Sequence, residues 1–307
     1  MTRKPSYVVD EPPRPGTEAW RQFITASKVP AILGLSPWQS QYALWHEMKG
    51  NLAPEPPDTK SDMFLWGHMA EESLAQWWRA KNPGWKLNEY HGRGEDRTAE
   101  VAYTNPQLDF PNMATLDRRG RRGQRFCIIE CKTTSDLSTW GRPDEVGSVP
   151  IYYQAQVIFQ MMVSEIHTAY VVVTGYRCPE IHHVTWDEDL AAMIAARCYE
   201  WHQSLKKDFP PELDDTVATY EAVRGLHPNI NPEGVIQVDP EQATLLLDAV
   251  EDKAAATRRE RFHRAKLLDQ MGDAKKALVG DQTLAVRSPG RGDAVTLRVN
   301  KKVNLAA

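Results

Sequence analysis

The stretch NMATLDRRGRRGQRFCIIECK, residues 112–132, decides how this chain folds. Its second half alternates. Phe126, Ile128, Glu130 and Lys132 fall on one side of an extended backbone, and Cys127, Ile129 and Cys131 fall on the other, the period of two that marks a strand. The glycine- and arginine-rich run from Arg118 to Arg125 reads as the turn of a hairpin. If a four-residue loop spans Arg122 to Arg125, 121 pairs with 126 and 117 with 130, which sets Asp117 opposite Glu130. Like charges opposed across a ladder, with Cβ atoms ~4.5–5.5 Å apart, destabilise it. A divalent cation is the natural compensation, because Mg²⁺ takes oxygen ligands and is commonly held by one or two carboxylates plus a phosphate. Lys132 lies two residues past Glu130 and projects from the same face. Its amine can position or deprotonate an attacking water and offset charge on a phosphorane-like transition state. Two carboxylates and a lysine around a metal are the working parts of phosphodiester hydrolysis. The rival reading is a surface hairpin with both charges in water. The Cys-Ile-Ile run before Glu130 and Cys131 after it weigh against that, since ionised groups are rarely set in a buried strand without a partner.

Working outward, Ile24 to Gly50 reads as two short helices. The first is capped by Thr25 or Ser27 and stops at Gly34, and the second starts at Ser36-Pro37. Asn51 to Lys60, with three prolines, is a loop. Ser61 or Asp62 caps a longer helix in which Met63, Trp66, Ala70, Leu74 and Trp77 make one apolar stripe. Lys86 to Tyr90 and Glu100 to Tyr103 are strand candidates. Beyond the hairpin, Ser148 with Pro150 opens a helix through about Val163. A buried strand follows at Thr168 to Thr174, with a hairpin partner at Ile181 to Trp186, and Asp187 caps a helix to about Lys207. The expected organisation is a flexible proline-rich segment over 1–20, a core domain over 21–210, and a C-terminal extension over 211–307. That extension has a long charged helix from Pro240 to about Leu278 and a β tail from Thr283 to Val299. The order of elements indicates an α/β or α+β fold.

Composition narrows the class. The chain has 307 residues, 41% hydrophobic and 25% charged, which is ordinary for a globular protein. No apolar run approaches the ~18 residues of a membrane span, and the N-terminus lacks the apolar segment of a secretory signal. The four cysteines, Cys127, Cys131, Cys178 and Cys198, form no CxxC pair and no zinc spacing with histidine, so reduced thiols in a cytoplasmic protein are expected. A net charge of −4 argues against a general polyanion binder. DNA binding would need a local basic surface, and Arg118, Arg119, Arg121, Arg122 and Arg125 form the densest cluster available.

Four blocks in order carry a family resemblance: ITASKVPAILGLSPW (24–38), WGHMAE (66–71), ATLD (114–117) with IECK (129–132), and YYQAQ (152–156). They resemble the YqaJ-like viral recombinase family, relatives of phage lambda exonuclease in the PD-(D/E)XK nuclease superfamily. The likeness spans about residues 20 to 175, and the C-terminal third is only loosely similar. It implies a restriction-endonuclease-like core, a central mixed sheet flanked by helices. It also implies Mg²⁺, or Mn²⁺, held by Glu71, Asp117, Glu130 and the carbonyl of Cys131, with Lys132 as catalytic lysine and Gln154 at the edge of the active site. Glu71 is one turn from Gly67, whose missing side chain would admit the sheet, whereas Glu72 points away toward solvent. Arg21 and Ser27 are the implied further DNA contacts. The sequence departs from the pattern in having Leu116 before the Asp and Arg118 after it. Between Trp20 and Thr25 it is also one residue shorter than lambda exonuclease, which bears on Arg21.

The activity implied is an exonuclease resecting linear double-stranded DNA 5′ to 3′ for single-strand-annealing recombination. By resemblance it would act as a trimeric ring beside an annealing protein, phage- or prophage-encoded, in the bacterial cytoplasm and away from membranes. The rivals are an endonuclease or repair nuclease with the same core, a Cas4-like iron–sulfur nuclease, and a non-catalytic DNA-binding scaffold. The iron–sulfur reading needs cysteines upstream and at the C-terminus, where there are none. The scaffold reading has no need of the full set Glu71, Asp117, Glu130 and Lys132.

Overall fold

In the computed structural model, which describes residues 4–52, 61–92, 98–175, 177–290, 292 and 294–304, the chain forms two units, Met1–Asn229 and Ile230–Ala307. The first unit runs β1 (Tyr7–Val8), α1 (Glu18–Arg21), β2 (Ile24–Thr25), α2 (Val29–Ile32), α3 (Gln41–Met48), α4 (Ser61–Lys81), β3 (Lys86–Leu87), β4 (Val101–Thr104) and β5 (Asn112–Leu116). It continues with β6 (Arg118–Arg122), β7 (Arg125–Thr133), α5 (Ile151–Ser164), β8 (Thr168–Thr174), β9 (Glu180–Thr185), α6 (Glu188–Lys207) and α7 (Val217–Leu226). The second unit contains α8 (Pro240–Met271), β10 (Lys276–Val279), β11 (Gln282–Pro289) and β12 (Val295–Val299).

The first unit is a mixed α/β structure with two sheets, ordered β1-β4-β5-β2 and β3-β6-β7-β8-β9. Among the described residues, only β2–β5 and β7–β8 are parallel pairs. The β7–β8 pair is joined through α5, the kind of crossover that parallel neighbours require. The hairpin register is 121 with 126, as expected, but Arg122 also pairs with Arg125, so the turn is only Gly123-Gln124. Gly123 has φ +63°, and glycine at the first position of a two-residue turn permits that tighter closure. Gly120 is needed for a different reason. A Cβ there would meet Cys127 Sγ at 2.6 Å and the Trp78 ring at 3.3 Å, so its absence lets Trp78 seat on the sheet.

The two faces of β7 separate as its alternation requires. Cys127, Ile129 and Cys131 pack with Ala70, Leu74, Ala75 and Trp78 of α4. Ile128 packs on the other face with Val157, Ile158 and Met161 of α5. The expected apolar stripe of α4 holds only in part, because Met63 and Trp66 are 62% and 59% exposed. Cys131 Sγ, near the C-terminal end of β7, lies 3.6 Å from the Glu71 carbonyl, and N-terminal to Glu71 Ala70 is the one buried side chain of α4 among the described residues. Gly67 likewise faces open space rather than the sheet.

Other boundaries shift for local reasons. Residue 28, not Thr25 or Ser27, is the N-cap of α2 and makes no side-chain cap bond, and Ser40 rather than Ser36 caps α3 through the Ala43 amide at 3.1 Å. Asp187 caps α6 as expected, accepting from the Leu190 amide at 2.9 Å. The proline-rich lead-in is not free. Tyr7 and Val8 pair with β4, and Ser6 bonds to Glu165 and to the Ser164 carbonyl. An edge strand beside a proline run costs no ladder bond, which is why this segment can pair there. The long helix α8 stops at Met271, and Leu278 belongs to β10; Met271, Ala285 and Leu297 form a small core in the second unit. Most of the expected loop from Asn51 to Lys60, and the side chain of Ser61, lie outside the described residues. Among the described residues no helix is long and apolar enough to cross a membrane.

Candidate active site

Directly opposed residues of an antiparallel ladder share a face. Continuing the register 118 with 129 by one step sets Asp117, in the bend between β5 and β6, against Glu130 on the α5 side. Both carboxylates line one cleft of about 1520 Å³, together with Lys132, Gln156, Arg119 and Ser27. Glu130 is 2% exposed, yet each of its oxygens is partnered. Oε1 accepts from Gln156 Nε2 at 2.6 Å and lies 2.7 Å from Lys132 Nζ, while Oε2 accepts from Gln160 Nε2 at 2.8 Å. Gln160 Nε2 also donates to the Thr115 carbonyl at 3.0 Å, tying β5 to the same point. Asp117 Oδ2 accepts from the Cys131 amide at 2.7 Å. A strand residue sends its N–H and C=O to the same edge, so the Cys131 carbonyl is directed toward the Asp117 side as well.

The charges are out of balance. Burial first, and then the Glu130 charge, hold the Asp117 carboxyl well above the usual range, against the pull of Lys132 and the Cys131 amide. Glu71, on α4, is also raised by burial; His68, 3.2 Å from it, opposes this, while Glu100 and Glu130 add to it. Glu100 behaves alike, pushed up by burial and by Glu130 and eased by His68. Burial works against the Lys132 ammonium, but Glu130 and Asp117 outweigh it and raise its pKa.

Several expected site residues are placed elsewhere. Gln154 is not the glutamine that faces the carboxylates; Gln156 and Gln160 are. Two helical residues lie about 200° apart, so Gln154 and Gln156 take opposite sides of α5, whereas four residues restore the face. Arg118 is 3% exposed and committed to Glu72 at 2.8 Å, the Tyr90 hydroxyl at 2.6 Å and the Asp117 carbonyl at 2.7 Å. It is an internal cation, and Glu72, whose side chain is still 42% exposed, is its counter-ion. Arg119, one residue on, turns to the cleft and donates to the Tyr103 hydroxyl. Arg121 and Arg122 are exposed at the hairpin tip. Arg21 lies against a separate small pocket with Glu18, Lys49 and Gly50, while Ser27 lines the main cleft and bonds to Thr25 Oγ1 at 3.1 Å. Glu100 has no signal in the sequence, because its strand is short and its partners are far away in the chain. Gln156 does have one, as the second glutamine of the YYQAQ block.

Residues 17–167, which hold all of these carboxylates, amides and the lysine, match the YqaJ-like viral recombinase domain. Over those residues the chain is similar to that family. Uncharacterized protein YqaJ of Bacillus subtilis (strain 168) is 25% identical to it over 236 residues, which is 73% of this chain and 67% of that protein. Among solved structures, an alkaline exonuclease, LHK-Exo, from Laribacter hongkongensis covers 61% of this chain and 90% of its own, at 15% identity and a TM-score of 0.42. LHK-Exo in complex with dAMP covers 63% and 94%, at 18% identity and a TM-score of 0.43. At those scores the likeness of shape is partial.

The cleft thus gathers an all-oxygen acidic set with one ammonium. Among the described residues no three His, Cys, Asp or Glu side chains form a ready-made metal cage. Mg²⁺ does not need one, since it keeps waters and uses one or two carboxylates with substrate phosphate. The surplus of carboxylate charge over Lys132, and the absence of a thiolate or imidazole cluster, fit a hard divalent ion of that kind.

Proposed function

We propose that this protein is a divalent-metal-dependent DNA exonuclease that resects linear double-stranded DNA, 5′ to 3′, and passes the exposed strand to a single-strand annealing protein in recombination. The observation that carries the reading is the convergence of Asp117, Glu130 and Lys132 on one cleft inside a YqaJ-like viral recombinase domain. Asp117, Glu130, the Cys131 carbonyl and Glu71 would hold Mg²⁺ or Mn²⁺. The bound ion supplies Lewis acidity toward a phosphate oxygen and toward water.

The protein's own groups do the rest. Lys132 is fixed between Glu130, at 2.7 Å, and the Tyr153 ring, 5.1 Å from its centroid, so its charge faces the place where negative charge develops on the phosphate. Gln156 and Gln160 hold the Glu130 carboxylate in one orientation, which lowers the reorganisation needed when DNA arrives. Arg119 and Ser27 face the same cleft and suit phosphate contacts, which position the backbone without reading sequence. Assembly into a ring, as in lambda-type relatives, accompanies this reading.

The test is digestion of linear duplexes labelled at the 5′ or the 3′ end, beside a closed circle, with and without Mg²⁺, for the native protein and Lys132→Ala. Release of the 5′ label first, only with metal and only by the native protein, is the expected result. Cutting of the closed circle would make the protein an endonuclease. DNA binding with no digestion by either protein would make it a scaffold, and equal digestion by both would remove Lys132 from the site.

A further inference from the structure

The amine of Lys132 is the inner end of an aromatic cluster that leads out of the cleft to the surface. From Tyr153, 5.1 Å away, the rings continue to Trp140 at 5.7 Å, Tyr152 at 4.6 Å and Trp38 at 6.0 Å. Trp38 also meets Tyr152 edge to face, at 5.2 Å and 83°. That contact props the indole by its neighbour's edge, yet Trp38 remains 62% exposed. Its backbone is fixed: the amides of Trp38 and Gln39 both donate to Ser36 Oγ, at 3.2 and 3.1 Å, and Gln39 is anchored to Glu47 at 2.6 Å. A large indole left in water on a rigid turn, while the other rings of its cluster are at least half-buried, is not explained by packing.

Resting on the nuclease reading above, we propose that Trp38, braced by Tyr152, is a stacking platform for a nucleobase close to the scissile phosphate, and so a substrate-positioning residue. The occupant is a base rather than a protein side chain, because the cluster is continuous with the carboxylate–lysine site through Tyr153, where the DNA backbone must lie. Every base has a π-face, so such a platform grips DNA without sequence preference. Stacking at this point would fix the strand relative to Lys132 and the carboxylates.

The experiment uses the full chain in EDTA, so that DNA stays uncut, and linear duplexes with 2-aminopurine at successive positions from the end. One position should show a fluorescence change on binding that Trp38→Ala loses and Trp38→Phe keeps. An abasic site at that position should weaken binding to the native protein about 10-fold, a size typical of one stacked base, and should not weaken binding to Trp38→Ala further. With Mg²⁺, Trp38→Ala should raise KM by a similar factor more than it lowers kcat. The proposal is overturned if Trp38→Ala leaves every 2-aminopurine signal in place, or weakens intact and abasic DNA alike. If the native protein digests DNA with Mg²⁺ while either of those results holds, the platform fails alone. If the native protein neither binds nor digests DNA, the nuclease reading fails and the platform goes with it.

Discussion

The two ends of the β6–β7 hairpin are built from the same residue types and behave as opposites. At its root, Asp117, Arg118 and Glu130 are ionisable groups deep in the fold, and each has specific partners: the Cys131 amide, Glu72 with Tyr90, and Lys132 with two glutamines. At its tip, Arg121, Arg122 and Arg125 stand in water. Charge at the root is held in a low-dielectric setting where geometry sets its energy, and so it can act on chemistry. Charge at the tip is screened within about 8–10 Å and can act only on a polyanion that comes to it. One arginine run therefore contains both a structural cation and solvent-facing cations.

The largest effect should come from the root. Lys132→Ala is expected to lower turnover of linear duplex DNA on the order of 10³-fold, the scale of losing one preorganised charge at a developing oxyanion. Glu130→Gln should do at least as much. Single-turnover rates at saturating Mg²⁺ measure both, and near-native activity in either variant would contradict the proposed site.

Next come the groups that hold the root together. Gln160 is 0% exposed and donates to Glu130 and the Thr115 carbonyl at once. Gln160→Leu removes both bonds with little change of volume, and should cost about 1–3 kcal/mol of stability, the penalty for unsatisfied buried acceptors. Urea unfolding at neutral pH is the measurement. Arg118→Met should cost less, about 1–2 kcal/mol, because its counter-ion Glu72 is 42% exposed and can rehydrate. An unchanged urea midpoint in Arg118→Met would mean that the Glu72–Arg118–Tyr90 contact holds nothing.

Much of this is legible in the residues, and the part that is not follows a pattern. Strand period, hairpin register and the Asp117–Glu130 pairing are local, set by alternation and a turn, and β8 matches the sequence reading to the residue. The split of the arginines is also within reach: a period of two puts Arg119 and Arg121 on the Glu130 face and Arg118 on the α4 face. Treating the five as one patch hides it. The choice of Gln156 over Gln154 needs the rotation of α5 about its axis, which its packing on β5, α2 and α6 fixes. Glu100 and the exposed half of α4 depend on where strands end, and no spacing in the chain records that.

The smallest expected effect lies at the tip and is a matter of slope. Arg121, Arg122 and Arg125 changed together to Gln should leave the unfolding transition close to where it is, because Arg121 donates to the Gly123 carbonyl within its own turn and otherwise lies over the exposed Phe126 ring. If the tip lies along DNA, each phosphate that the variant no longer neutralises takes about 0.9 off the slope of log affinity against log salt. Binding in EDTA, from about 50 to 200 mM salt, should then show the native protein weakening faster than the variant, with the two curves converging at high salt. Superimposed curves would mean that the tip solubilises the hairpin and never touches the backbone, leaving Arg119 and Ser27 in the cleft as the phosphate contacts. A drop in affinity of equal size at every salt concentration would point instead to a shape change carried down β6 to the root. The urea midpoint would then move too, and the separation between the two ends of the hairpin would be lost.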